Sequence, residues 1–100
     1  MEVDQRKVSL ISGFLEESFI GCSVYDRSAP ERDSQFFQHV DEASGKVVHR
    51  VFVSRAFLDN HAENDILPTL QNLALLVCLR MAGGRRVNVR SQMIEIERDT

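Results

Sequence analysis

The chain has 100 residues, of which 43% are apolar and 27% are charged, and its formal net charge at pH 7 is −3. This length predicts a single domain over residues 1–100 with one modest core, and the apolar content excludes wholesale disorder. The slightly acidic balance excludes a chain that is built as a whole to coat a polyanion.

The first residues carry no targeting pattern. Residues 1–4 (MEVD) are acidic, whereas a secretory signal begins with basic residues followed by an apolar run. The longest unbroken apolar stretch, residues 73–79, is far shorter than the ~20 residues of a membrane span. Cys22 and Cys78 are distant in sequence and belong to no paired motif, which predicts two free thiols. We therefore expect a cytoplasmic protein.

Residues 3–19 have the spacing of an amphipathic helix. Asp4 suits its first turn, where the helix dipole favours negative charge, and Gly21 suits its end. The apolar residues share one side of the helical wheel: Val3, Leu10, Ile11, Phe14 and Leu15. This side predicts the face that packs on the core.

The next segment is polar. Residues 22–25 favour a short strand, but residues 26–35 (DRSAPERDSQ) contain Pro30 and five charged residues with almost no apolar content. Such a composition predicts a solvated, mobile loop, whose role is either that of a connector or that of a partner-binding segment.

A β-hairpin is the clearest local pattern. Residues 36–41 and 47–53 are rich in β-branched and aromatic residues, and residues 42–46 (EASGK) separate them. Gly45 suits the left-handed position that closes such a turn. We expect both faces of this hairpin to be covered at least in part, because Phe or Val occurs in both alternating phases.

Two registers of the hairpin remain open. A three-residue loop places Glu42 opposite Lys46 and His39 opposite His49. A four-residue loop pairs Asp41 with Lys46 and puts the two histidines on opposite faces. The first register would let the histidines share an ion, although a third ligand would still be missing.

Residues 66–82 predict the second main helix, with Asp65 as its cap and Gly83 beyond its end. One face has the residues of an ordinary core face: Ile66, Leu70, Leu73, Ala74, Val77 and Met81. The opposite half carries Leu75, Leu76 and Leu79, so the helix is apolar nearly all round.

These three leucines, Leu75, Leu76 and Leu79, have two interpretations. Either the rest of the chain covers them, or they meet their symmetry mates across a two-fold axis. A domain of this size has little material to bury a helix completely. The sequence therefore favours a homodimer interface at these leucines.

Residues 86–97 alternate as a C-terminal strand, with a change of phase at residues 91–92 that implies a bulge or a tight turn. The predicted fold class is thus α+β. It has an antiparallel sheet of three to four strands, made by the 36–53 hairpin and the 86–97 strand. Helices 3–19 and 66–82 pack against this sheet.

No pattern indicates enzymatic chemistry. The sequence has no glycine-rich phosphate loop, nucleophile elbow or HExxH motif, so we predict no catalytic residue and no cofactor. Residues 59–61 (DNH) are interpreted as a turn and not as an oriented base. The histidines and cysteines lack the spacing of ligands, so no metal site is predicted.

A group of arginines offers the one candidate anion site: Arg80, Arg85, Arg86 and Arg90. Such a cluster can bind phosphates even in an acidic protein. The same residues suit the negative end of the second helix and pairing with nearby glutamates.

The leading hypothesis is a small non-enzymatic binding or regulatory module that self-associates as a homodimer and acts on a protein partner. The alternative is a nucleic-acid- or phosphate-binding protein that uses the four arginines. The third is a small enzyme or ligand-binding fold with a dispersed site. We predict no membrane interaction.

Overall fold

The computed structural model describes residues 4–98, so Val3, predicted as the first residue of the N-terminal helix, lies outside the described residues. The elements in chain order are α1 (Gln5–Ser18), β1 (Cys22–Ala29), a 3-10 turn (Pro30–Arg32), β2 (Ser34–Asp41), β3 (Val47–Ser54), α2 (Arg55–Asn60), α3 (Glu63–Asn72), α4 (Leu75–Ala82), β4 (Arg86–Val89) and β5 (Ile94–Ile96). The predicted α+β class is confirmed.

The strands form one five-stranded sheet in the order β1-β2-β3-β4-β5. Neighbouring strands are antiparallel except for β3 and β4, which are parallel. Because parallel neighbours need a long crossover, α2, α3 and α4 all lie between β3 and β4 in the chain. The sheet is thus mixed, whereas the sequence predicts an antiparallel one. It has five strands, whereas the sequence predicts three to four.

One face of the sheet packs against the helices and forms the main core. α1 lies against β1 and β2, while α4 lies against β4 and β5. The largest fully buried side chains come from both layers: Phe37, Phe57, Ile11, Leu15, Leu58, Ile66, Leu70, Leu75 and Leu79. This clustering follows from the hydrophobic effect, which favours covering one side of each element.

α1 forms within the predicted range, but Asp4 precedes it as the N-cap, and Leu10 and Phe14 of the predicted core face are only half-buried. Asp4 caps it by accepting a 2.9 Å hydrogen bond from the Arg6 amide. Its buried residues are Val8, Ile11 and Leu15. The turn that follows contains Gly21 at φ +85°, a left-handed conformation that glycine adopts without steric cost.

The loop predicted over residues 26–35 is wrong in most of its length. Residues 26–29 belong to β1 and residues 34–35 to β2, which leaves a tight turn around Pro30. β1 pairs with β2 without interruption from Cys22 opposite Asp41 to Ala29 opposite Ser34. An edge strand can be this polar because its backbone bonds stabilise it while much of its side-chain surface faces water.

The β2–β3 hairpin combines features of both predicted registers. The Asp41 amide donates to the Lys46 carbonyl at 2.9 Å, as in the four-residue loop. A bulge then shifts the register, so that His39 lies opposite His49. Because β3 has one extra residue at this bulge, His39 and His49 lie on the same side of the sheet, the side that faces the helices.

Residues 86–97 form a hairpin and not one continuous strand. The Arg90 amide donates to the Met93 carbonyl at 2.8 Å, which closes a tight turn between β4 and β5. Val87 lies opposite Ile96, so the apolar residues of both strands share the helical face. The change of phase in the sequence therefore marks a turn.

The predicted helix 66–82 is broken in the middle. α3 ends at Asn72 and α4 begins at Leu75, with a bend of 52° between their axes. Ala74 occupies the break at φ 59°, in the left-handed region that L-residues rarely adopt. The break rotates α4 relative to α3, so a helical wheel drawn through both assigns the wrong face to α4.

Ala74→Gly should raise the free energy of unfolding by about 0.5–1 kcal/mol. The left-handed conformation costs an L-residue about 1–2 kcal/mol, which exceeds the ~0.5–1 kcal/mol entropic cost of glycine. Urea unfolding measures the change. Ala56→Gly, at an exposed position of α2, is the control and should lower the stability. An equal loss in both variants would contradict the strain at Ala74.

Candidate association surface

The helix break opens an apolar cleft in the helical layer. Its volume is about 200 Å³. It is lined by Phe14 from α1 and by Leu70, Gln71, Ala74, Leu75, Leu76 and Val77 from the broken helix. No lining residue is charged, so the cleft suits an apolar side chain better than an ion or a polar metabolite.

Two exposed apolar side chains of α4 lie at this cleft: Val77, which lines it, and Met81, one helical turn further on. Val77 is 52% exposed and Met81 is 68% exposed. They are four residues apart and therefore lie on the same side of the helix. We call the cleft together with Val77 and Met81 the association surface. Methionine is common at binding surfaces because its flexible thioether adapts to different partners.

The predicted leucine interface is not an exposed patch. Leu75 is 1% exposed and Leu79 is 0% exposed within a single chain, and both belong to the main core. Leu76 is half-buried and lines the cleft. The prediction for Leu75 and Leu79 is wrong because the rotation at Ala74 turns them inward and turns Val77 and Met81, predicted as core, outward.

The four arginines predicted to bind anions have different environments. Arg85 donates to the Ala82 and Met81 carbonyls and so satisfies the end of α4. Arg90 forms a 2.6 Å ion pair with a glutamate of β5. Arg80 is exposed on α4.

Arg86, the fourth, has its guanidinium 3.8 Å from the carboxylate of Glu97. Three of the four arginines thus have partners within their own chain. An incoming phosphate would have to displace carbonyl or carboxylate acceptors from Arg85, Arg86 and Arg90.

On the sheet face opposite the helices, two arginine side chains lie over a pair of phenylalanine rings. Phe36 and Phe52 stack there with ring centroids 4.6 Å apart. Arg27 lies 5.0 Å from the centroid of Phe36, and Arg32 lies 4.0 Å from that of Phe52. Arg32 also pairs with Glu97. Because the two rings are almost fully buried under these cations, they present no open platform for base stacking.

The two histidines form a buried pair beneath α1. His39 Nε2 lies 3.0 Å from the Leu15 carbonyl oxygen, so it carries the hydrogen and donates. His39 Nδ1 is then an acceptor for His49 Nδ1–H at 3.2 Å. The Phe19 ring packs against both imidazoles, with centroid distances of 4.8 and 4.6 Å. This arrangement uses the neutral form of each ring.

Burial lowers the pKa of both rings. It lowers the pKa of His49 to about 4, with a further contribution from His39. It also lowers the pKa of His39, against the opposing effect of the hydrogen bond to Leu15. Residues 4–98 hold no group of three or more side chains that could bind a metal ion. Through the hydrogen bond from His39 to the Leu15 carbonyl, the pair ties α1 to the sheet.

The sequence cluster at residues 59–61 does not form a base–acid pair. His61 Nδ1 lies 2.8 Å from the Phe57 carbonyl oxygen, and its ring packs on Phe57. The Asp59 carboxylate lies 4.0 Å from the Arg55 guanidinium. Residues 59–61 are therefore the end of α2 and its C-cap, where the sequence predicts a turn.

Cys22 and Cys78 are both unpaired and half-buried, which confirms the predicted free thiols. Among the described helices, none alone is long and apolar enough to cross a membrane, and α3 and α4 reach that length only as a bent pair.

Comparison of the chain with protein family models, with curated proteins and with solved structures gave no match.

Proposed function

We propose that this chain is a non-enzymatic binding or regulatory module that forms a homodimer and acts on a protein partner through the association surface. The carrying observation is the apolar cleft beside the exposed Val77 and Met81. Apolar area removed from water contributes roughly 25 cal/mol per Å², and these residues leave such area exposed. The two unpaired cysteines support a cytoplasmic location.

The shape of the surface favours one class of occupant. A narrow cleft without charged lining residues accepts single apolar side chains, and the exposed row on α4 can pack alongside the element that carries them. We propose that the occupant is an amphipathic helix of the partner protein, with one large apolar residue in the cleft. A nucleic-acid partner has less support than a protein partner. The arginines that would contact its phosphates already bind carbonyl or carboxylate groups of their own chain: Arg85, Arg86 and Arg90.

Met81→Glu and Val77→Glu should each abolish capture of the partner while the chain remains folded. A carboxylate on this surface would have to be desolvated on binding, whereas both positions are exposed in the free chain. The measurement is affinity capture from an extract of the native host, quantified for the variants beside the unsubstituted protein. Circular dichroism verifies the fold.

Ala56→Glu is the matched control, because it makes the same change from apolar to acidic at an exposed helical position outside the association surface. A protein that is captured by the unsubstituted chain and by Ala56→Glu, but not by Met81→Glu, is the expected partner. Equal capture by all variants would contradict the proposal.

A further inference from the structure

β1 is a long edge strand whose outer side has no partner strand within residues 4–98. It has eight residues and a continuous register with β2, with neither a bulge nor an internal proline. The opposite edge strand, β5, has three residues. Short edges, bulges and prolines are the common devices that prevent edge pairing, because unpaired N–H and C=O groups accept another strand. β5 has such protection through its shortness, and β1 lacks these devices.

The charged residues of β1 are engaged by their own chain. Asp26 accepts a 3.0 Å hydrogen bond from Gln35 of β2. The Arg27 guanidinium lies over the Phe36 ring. Tyr25 is different, since 58% of this large side chain is exposed in the middle of the strand. The Ser28 carbonyl accepts a hydrogen bond from the Arg27 guanidinium, and the Cys22 amide donates to the Phe19 carbonyl. Between these two ends, the edge offers backbone groups and one unburied aromatic ring to an incoming strand.

We propose that β1 pairs antiparallel with β1 of a second copy of this chain, about a two-fold axis at Tyr25. A two-fold axis perpendicular to the sheet keeps the helices of both copies on one side, and it places each residue opposite a residue of the same face. The possible centres near the middle of the strand are Val24, Tyr25, Asp26 and Arg27. An axis at Val24 or Arg27 pairs only five residues of each strand, whereas an axis at Tyr25 or Asp26 pairs seven.

Charge selects among these centres. An axis at Asp26 or at Arg27 would place two like charges directly opposite each other, which destabilises a strand pair. An axis at Tyr25 places two aromatic rings together instead. Ser23 then lies opposite Arg27, and no residue of β1 faces a like charge. The product is one ten-stranded sheet shared by two chains.

Disulfide trapping tests this register. In a background with Cys22→Ser and Cys78→Ser, Tyr25→Cys should form a covalent dimer under mild oxidation, because the two thiols lie on the axis. Arg27→Cys is the matched control. Its thiols would be four residues apart along the paired strands, about 13 Å, which is beyond the ~7 Å that a disulfide can bridge. Cross-linking of Arg27→Cys without that of Tyr25→Cys would overturn the register.

Sedimentation of the natural sequence provides the second measurement. We expect a dimer at high micromolar concentration, its loss in Tyr25→Glu and its retention in Tyr25→Phe, with circular dichroism verifying that each variant folds. A monomer at every concentration would overturn strand pairing. So would a dimer that persists in Tyr25→Glu but is lost in Met81→Glu, because the second copy would then occupy the association surface.

The inference rests on the proposed homodimer. It uses the β1 edge, whereas partner binding uses the association surface, so strand pairing and partner binding can be contradicted separately. If Tyr25→Cys does not cross-link while Met81→Glu still loses the partner, strand pairing is wrong and partner binding stands. If Tyr25→Cys cross-links while Met81→Glu captures the same proteins as the unsubstituted chain, strand pairing stands and the association surface is wrong.

Discussion

Leu79→Ala is expected to lower the free energy of unfolding by about 2–5 kcal/mol, and Leu79→Glu to leave the chain unfolded. Leu79 is fully buried in the main core, where α4 packs against β4 and β5. Truncation there removes apolar contacts and leaves a cavity, and a carboxylate would have no partner to replace its hydration. Urea unfolding followed by circular dichroism measures both effects.

Met81→Ala is the control for this experiment, because it removes a large side chain from the exposed side of the same helix. Its effect on stability should stay within about 0.5 kcal/mol. A folded, soluble Leu79→Glu monomer would show that this side chain is exposed in the free chain. That result would restore the intersubunit leucine interface predicted from the sequence.

Acid is expected to destabilise the fold between pH 6.5 and pH 4 through the buried histidine pair. The pKa of His49 is about 4 in the folded chain, against an ordinary value of 6.5 that applies after unfolding. Within this window the unfolded state binds more protons than the folded state, so stability is lost as the pH falls. The limiting slope for His49 is about 1.4 kcal/mol per pH unit, and His39, whose pKa burial also lowers, acts in the same direction.

Two measurements check this dependence. Urea unfolding at a series of pH values should show the loss, and His49→Phe should reduce the slope because one titrating ring is removed. The NMR titration of the His49 imidazole should have its midpoint near pH 4. A midpoint near 6.5 would show that burial does not hold the ring neutral.

Carboxylates such as Glu97 change the free energy of unfolding in a different pH range. Hydrogen bonds from Asn88 and Arg32 lower the pKa of Glu97 from 4.5, so its contribution is lost only as the pH falls below that value. The loss between pH 6.5 and pH 4.5 therefore reports mainly on the histidines.

The elements that depend on local patterning could be predicted from the sequence. α1 has a single apolar stripe and an aspartate cap, and the β2–β3 hairpin has a turn with glycine at the left-handed position. The turn residues alone could not decide the register. The bulge that brings His39 opposite His49 lies in the strands, outside the turn residues.

The break at Ala74 could not be read from the sequence. Residues 73–79 are all apolar, so no change of pattern marks the point at which the buried face rotates. Alanine is also a favourable helix residue, and only tertiary packing offsets the cost of its left-handed conformation. For this reason the sequence could not predict the association surface, because its helical pattern places Val77 and Met81 on the core face.

The second half of β1 could not be predicted, for another reason. Its residues 25–28 are exposed and lack the alternation of a half-buried strand. The strand forms because β2 supplies hydrogen-bond partners for its backbone. The residues of β1 alone do not indicate this pairing.

The single parallel pairing constrains the order in which the chain can fold. β1, β2 and β3 are joined by short turns, so their contacts require little loop-closure entropy and can form early. β4 can pair with β3 only after the intervening helical segment has brought it alongside, with Arg50 opposite Arg86. We therefore expect the three strands β1–β3 to form first, and the β4–β5 hairpin to dock in a later step that completes the sheet.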